Sequence, residues 1–313
     1  MEIIGYSPLY QKQVIRLWND TLTADLIDEN RFIKLVLCDE NFSSELALLC
    51  IDQGELLGFL LSTKRIVPYM ERGLEPERGF VNLIFVKKGY QHQGIGTKLM
   101  ETAEKRMIEK GAKNITLAAY SPNYFFPGVD AAAYPHAVEF FKKLGYEATG
   151  EAVSMHRTLF DYRYPEAVKQ KKDEYIKKGY DIQPFSYEYT FELLEFLLKN
   201  FGAGWKRNAY LAILNHVAHD TIKICTDKDG RIVGYCMRAI DGNPARFGPF
   251  GVREDLRSRG MGSILFHEMM YDMLSKGIYH VYLLWTHGDA QRFYERQGMR
   301  PYRSYQLMKK IIH

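Results

Sequence analysis

The sequence predicts an α/β chain, more closely a mixed α+β chain, in which one structural unit is used twice. Three observations carry that reading. The stretch "NLIFVKKGYQHQGIGTKLM" (Asn82–Met100) aligns without a gap on "GPFGVREDLRSRGMGSILF" (Gly248–Phe266), Gly94 falling on Gly260 and Gly96 on Gly262 at a constant offset of 166 residues. The next apolar runs, "NITLAAY" from Asn114 and "HVYLLWT" from His280, keep that offset. Beyond them "AVEFFKKLGY" (Ala137–Tyr146) matches "AQRFYERQGM" (Ala290–Met299) at an offset of 153, so the first copy carries 13 extra residues within "SPNYFFPGVDAAAYPH". Self-similarity of this length marks a duplicated unit.

Each copy reads in the same order. An amphipathic helical region comes first. A hairpin follows, its turn and second strand marked by "DQGELLGF" (Asp52–Phe59) and by "DKDGRIVGY" (Asp227–Tyr235). Then come a strand, a glycine loop opening a helix, another strand and a shorter helix. Between the copies "YPEAVKQKKDEYIKKGYD" (Tyr164–Asp181) is polar, opens with Pro165 and closes on Gly179, which predicts a solvated linking helix. The expected division is a first domain over residues 1–160, the linking helix over 161–180 and a second domain over 181–313.

Composition narrows the function. A 46% hydrophobic and 26% charged content is ordinary for a globular protein, and no apolar window spans a bilayer. The start "MEIIGYSPLYQ" lacks a secretory pattern, so a cytoplasmic protein without membrane attachment is expected. Cys38, Cys50, Cys225 and Cys236 form no CxxC pair or metal-like cluster and read as reduced thiols. The net charge of +4 fits a polyanionic small molecule and is too weak to argue for nucleic acid.

A strand that ends in glycines and cations and feeds a helix is built to hold phosphate. The glycines let backbone N–H groups converge, and the helix N-terminus adds partial positive charge. Leu99 and Leu265 stand where a dinucleotide fingerprint needs its third glycine, and neither loop ends in the GK[ST] of a Walker motif.

Both loops instead read [QR]-x-x-G-x-G, "QHQGIG" from Gln91 and "RSRGMG" from Arg257. At these residues the chain resembles the GNAT superfamily of acyl-CoA-dependent N-acyltransferases. "FYERQGM" (Phe293–Met299) looks like the second signature of that family, and "FFKKLGYEATGE" (Phe140–Glu151) is the same element in the first copy. Two such halves in one chain are similar in plan to tandem GNAT proteins, mycothiol synthases among them. The resemblance implies two tandem GNAT-fold domains, each a mostly antiparallel mixed sheet flanked by helices, with acetyl-CoA or CoA as the acyl-donor substrate. Its binding residues would be Phe250, Gly251 and Val252 with Arg257, Ser258, Arg259, Gly260, Met261, Gly262 and Ser263 in the second copy. In the first copy they would be Val86 with Gln91, His92, Gln93, Gly94, Ile95, Gly96 and Thr97.

The resemblance also assigns the chemistry. Backbone N–H groups near Phe250–Val252 would polarise the thioester, and Tyr294 stands where the family places the leaving-group acid. The first copy has Phe141 there, and Gln91 in place of Arg257, so the second domain is expected to be catalytic and the first degenerate. A rival is that Tyr124 or Tyr134 of the insertion supplies the missing hydroxyl. The strand before the loop carries Asn82 and Leu83 in one copy and Gly248 and Pro249 in the other, hence no carboxylate base. His287 is the candidate base, with Asp289 equally readable as a helix N-cap. His216 and His219 have no further ligands near them in the sequence, and no metal is expected. Trp205 in "FGAGWKR" either walls an acceptor pocket or pins a turn, and "YFFPGVD" (Tyr124–Asp130) is a lid or an interdomain contact.

The functional expectation is transfer of a short acyl group, acetyl first, from CoA to an amine of a small molecule by direct attack. The alternative is a degenerate tandem protein that binds acyl-CoA as a sensor. A monomer with an intrachain pseudo-dimer and a homodimer both fit.

Overall fold

The computed structural model describes residues 1–122 and 125–312. It divides into two units, Met1–Ala152 together with the chain end from Arg303, and Val153–Tyr302.

The first unit runs β1 (Glu2–Gly5), α1 (Gln11–Thr21), α2 (Glu29–Phe32), β2 (Ala47–Asp52), β3 (Glu55–Thr63), β4 (Arg78–Val86), α3 (Ile95–Glu109), β5 (Asn114–Leu117), α4 (Ala137–Lys143) and the first half of β6 (Glu147–Thr158). The β2–β3 hairpin turns at Gln53 and Gly54, whose φ of 47° and 81° are what a two-residue turn of this twist requires. Alternate residues of β2 enter two cores. Ala47, Leu49 and Ile51 pack with Val14, Leu17 and Trp18 of α1, whereas Leu48 and Cys50 pack with Leu99, Met100, Ala103 and Met107 of α3. A strand buried on both faces has no polar alternation, hence its unbroken apolar sequence.

β1 to β5 lie in sequence order in the sheet, and only the β4–β5 neighbours among them are parallel. That ladder runs from Arg78↔Asn114 to Val81↔Leu117 and stops. Ala118 and Ala119 have φ of 53° and 54° and turn the chain aside, while β4 continues to Val86. The two strands splay.

The second unit contains the rest of β6, then α5 (Glu166–Lys177), β7 (Asp181–Pro184), α6 (Thr190–Phe201), α7 (Ala203–Leu214), α8 (Ala218–Thr221), β8 (Ile222–Thr226), β9 (Ile232–Arg238), β10 (Phe247–Val252), α9 (Met261–Ser275), β11 (His280–Thr286), α10 (Gly288–Arg296) and the start of β12 (Arg300–Ile311). β7 to β10 form an antiparallel sheet, and β11 meets the residue just before β10 at the parallel bridge Arg246↔Tyr282. Both units are therefore mixed, mostly antiparallel sheets flanked by helices, in the order read from the sequence.

The final strands come from elsewhere in the chain. β5 pairs with Lys309–Ile311 of β12, and β11 pairs with Val153–Thr158 of β6. Residues 303–312, which the sequence reading gave to the second domain, thus complete the first unit's sheet. Periodicity identifies a strand without identifying its partner.

Candidate functional site

The two glycine loops are geometric twins. Gly94 and Gly260 have φ of 81° and 96°, and His92 and Ser258 have 60° and 58°. Each loop opens a 15-residue helix, α3 or α9. Gln91 Nε2 donates to Val86 O at 3.1 Å, and Arg257 Nε donates to Val252 O at 3.2 Å. The first residue of the [QR]-x-x-G-x-G pattern thus ties the loop to the end of its strand. In that role glutamine and arginine are equivalent, and they differ in the positive charge that only Arg257 brings.

What lies over the loops differs. In the first unit a cavity of about 650 Å³ opens where β4 and β5 splay. It runs from Gln91, His92, Gly94, Gly96 and Thr97 along β4, from Val86 back to Asn82. Its other walls include Phe126, Tyr134, His136, Phe140 and Arg303.

In the second unit aromatic rings occupy the equivalent place. Phe250 stacks on Phe293 at 5.5 Å, and Phe247, Phe266 and Tyr294 close around them. Behind β10, Phe201 stacks on Trp205 at 4.3 Å. A Cβ placed on Gly251 would lie 2.5 Å from the Phe201 ring, so glycine is required here by packing. Trp205 thus backs β10. Helix α5 lies beside the loop itself, with Tyr175 Oη donating to Arg259 O at 3.0 Å and the Lys171 stem 3.2 Å from a Cβ placed on Gly260, and a cavity of about 840 Å³ remains between them, lined by Lys171, Tyr175, Ser258, Arg259, Gly260 and Ser263.

The expected catalytic residues fall in different surroundings. Tyr294 is buried among those rings, and burial pushes its hydroxyl well above the ordinary phenol range. His287 is exposed and is the backbone N-cap of α10, without a side-chain capping bond, and exposed Asp289 pairs with Arg292. His219 Nδ1 lies 2.9 Å from Phe185 O, a local structural contact. Among the described residues no cluster of His, Cys, Asp or Glu could hold a metal, and no helix is long and apolar enough to cross a membrane.

The first cavity holds polar groups that sequence reasoning mostly missed. Tyr134, named as a rival hydroxyl, donates to Asp25 Oδ2 at 2.5 Å, and burial with that bond raises its pKa. Tyr124 lies outside the described residues. Arg303 grips Asp25 through both Nη atoms and donates through Nε to Asp130 Oδ2 at 2.7 Å. Burial works against the Arg303 charge, but hydrogen bonds to Asp25 and Asp130 outweigh it and raise the pKa. Asp130 Oδ1 also accepts from the N–H of Ala132 and Ala133, which fixes the turn leading to Tyr134. A Cβ on Gly128 would meet Gln306 O at 2.5 Å, so the insertion lies tightly on β12. Phe126, Gly128 to Asp130 and Ala133 to His136 of the insertion thus form part of the cavity wall. The 13-residue length difference was the one signal for it.

A splayed parallel strand pair with a left-handed glycine loop and a helix N-terminus at one end defines the class, an acyl-transfer fold. The chain matches the acetyltransferase (GNAT) family over residues 12–146 and 190–299 and belongs to that family, as a tandem protein with one copy in each half. Its structure is similar to the GCN5-related glucosamine N-acetyltransferase region of a fungal multi-domain GH3 β-N-acetylglucosaminidase, with TM-score 0.83 and 21% identity over 98% of this chain and 38% of that one. The chain thus spans well under half of that fungal protein. A GCN5-related N-acetyltransferase from Sphaerobacter thermophilus is similar with TM-score 0.74 and 19% identity, over 100% of this chain and 96% of that one. A tandem GNAT protein from the clavulanic acid biosynthesis pathway is similar with TM-score 0.60 and 15% identity, over 99% of this chain and 98% of that one. No protein of curated function matches the chain by sequence. The family is one of N-acetyltransferases, and the match supports that activity in general terms.

Proposed function

We propose that the chain is an acetyl-CoA-dependent N-acetyltransferase acting on a small-molecule amine, and that the first unit holds the active site. One observation carries this reading: the cleft between β4 and β5 is open over its glycine loop, whereas rings fill the matching cleft of the second unit. This reverses the expectation that Tyr294 and the second domain do the chemistry. The second unit becomes a structural partner.

The pyrophosphate of CoA would lie on the N–H groups around Gly94 and the start of α3. Its pantetheine arm would follow β4, with backbone N–H groups of Ile84–Val86 beside the thioester carbonyl. The acceptor amine attacks that carbon, the new N–C bond forms as the C–S bond breaks, and the proton shed by nitrogen ends on the sulfur of CoA. No covalent enzyme intermediate is needed. Tyr134 commits its own proton to Asp25, which leaves its oxygen lone pairs free to accept a hydrogen bond from the acceptor.

The test is calorimetric titration with acetyl-CoA. Wild type should show one site, lost in Gly94→Val, where a β-branched residue cannot hold φ of 81°, and kept in Gly260→Val. The converse pattern would return the active site to the second unit. Phe141, which offers no hydroxyl where the family uses one, favours a second reading as an acyl-CoA sensor. Binding without thiol release across an amine panel would support it.

A further inference from the structure

The cavity of the first unit has two walls, drawn from two different cores. Val86, Phe140 and Phe141 pack with α3, whereas Leu22, Leu83, Phe85, Phe126 and Tyr134 pack with α1. Side chains alternate across β4, so Ile84 and Val86 go to the first wall and Leu83 and Phe85 to the second. The first wall leads away from Gly94 and Gly96 at the start of α3, and a CoA arm laid from that loop follows it. The second wall is left for the acceptor.

That second wall offers carbon. Leu22, Leu83 and Phe85 are buried in its floor, and half-buried Phe126 is held over the splay by a bond from Ala119 N–H to its carbonyl at 3.2 Å. The polar groups here are spent on one another. Tyr134 Oη donates to Asp25 Oδ2, Thr21 Oγ1 donates to Leu17 O at 2.5 Å, and each Arg303 nitrogen donates to Asp25 or Asp130. Asp130 Oδ1 is occupied by the N–H groups of Ala132 and Ala133. Glu139 and Lys143, which also line the cavity, belong to α4 on the cofactor wall. An acceptor with a hydroxylated or charged body would bury those groups against carbon, at a cost that an apolar body avoids.

We infer, on the active-site reading given above, that the acceptor is an amine carried on an apolar aryl or alkyl body. Its nitrogen donates to the lone pair that Tyr134 Oη keeps, and its body lies against Leu22 and Phe126. These two side chains, one from the end of α1 and one from the insertion, set the selectivity.

Thiol release with 2-phenylethylamine and with ethanolamine, primary amines of similar basicity, tests this. Wild type should favour 2-phenylethylamine by about 10- to 100-fold in kcat/KM, the gain from burying a phenyl-sized apolar group. Phe126→Ser and Leu22→Asn should each cut that ratio about ten-fold, through the KM of the aryl amine, and titration of each variant with acetyl-CoA reports whether it is folded. The wild-type ratio decides even where a variant does not fold. Equal use of the two amines, a preference for ethanolamine, or an unchanged ratio in both folded variants would overturn the assignment. Absence of release with either amine, from a protein that binds acetyl-CoA at a site lost in Gly94→Val, would overturn it too. Failure of wild type to bind acetyl-CoA would instead remove the active-site reading, and this inference with it.

Discussion

Arg303, which lines the first cavity, and Asp25, 278 residues apart in the chain, form a two-pronged ion pair, with Nη1–Oδ1 at 2.5 Å and Nη2–Oδ2 at 2.9 Å. Both side chains are largely buried, at 18% and 15% exposure. The arginine is the first residue of the chain end that joins the first unit, so the last strand and the cavity wall are one construction.

Removing one partner of a buried pair leaves an uncompensated charge. Arg303→Met should therefore lower stability by about 3 kcal/mol, read as a shift in the urea midpoint, and abolish thiol release. Arg303→Lys should rescue little, because one ammonium cannot serve Asp25 and Asp130 in the planar fork geometry. A chain ending at Tyr302 should fail in the same way. Full activity in Arg303→Met would separate the ion pair from the site.

Tyr134 and Tyr294 offer opposite outcomes. Tyr134→Phe should cut kcat by roughly 10²-fold with the acetyl-CoA dissociation constant unchanged, since the hydroxyl faces the acceptor and not the cofactor arm. Tyr294→Phe should leave kcat within about two-fold of wild type, because its hydroxyl is enclosed by rings. The reverse result would reinstate the second unit as catalytic.

Much of the fold was legible because duplicated sequence reports duplicated structure. The twin φ values at Gly94 and Gly260 are what matched motifs encode. The choice between the halves was not legible, since it depends on what fills each cleft. Phe250 against Phe293 and Tyr175 against Arg259 are long-range packing facts, and the linking helix that lies beside the second loop read as a solvated one. Arg303 escaped notice because nothing local ties a C-terminal strand to a loop near residue 25. Asn82 stands on the strand before the loop, where the sequence offers no carboxylate.

Packing around Gly251 gives a stability prediction confined to the second unit. Gly251→Ala puts a methyl 2.5 Å from the Phe201 ring, and the Phe201–Trp205 stack must shift. The expected loss is about 1–3 kcal/mol in thermal or urea unfolding. Acetyl-CoA binding should persist at temperatures where the variant is folded. Loss of binding in a fully folded Gly251→Ala would place cofactor at β10 after all.

His267 makes stability depend on pH. It is buried in α9, with Nδ1 2.9 Å from Tyr162 Oη and Nε2 3.0 Å from Gln297 Oε1, and Ser263 Oγ donates to the same oxygen. Burial first, with the nearby Arg157 charge, lowers its pKa to about 4 from 6.5, against a raising contribution from Gln297. The folded form therefore resists a proton that the unfolded chain accepts. Above pH 6.5 neither state is protonated and the full stability is present. Between pH 6.5 and pH 4 the unfolded state binds the extra proton, and stability falls by up to about 3 kcal/mol. Urea midpoints taken from pH 7.5 to pH 4.5 should decline more steeply for wild type than for His267→Gln, whatever the variant's stability at neutral pH. Parallel slopes would mean that the imidazole is protonated in the folded protein, with Tyr162 and Gln297 both accepting from it.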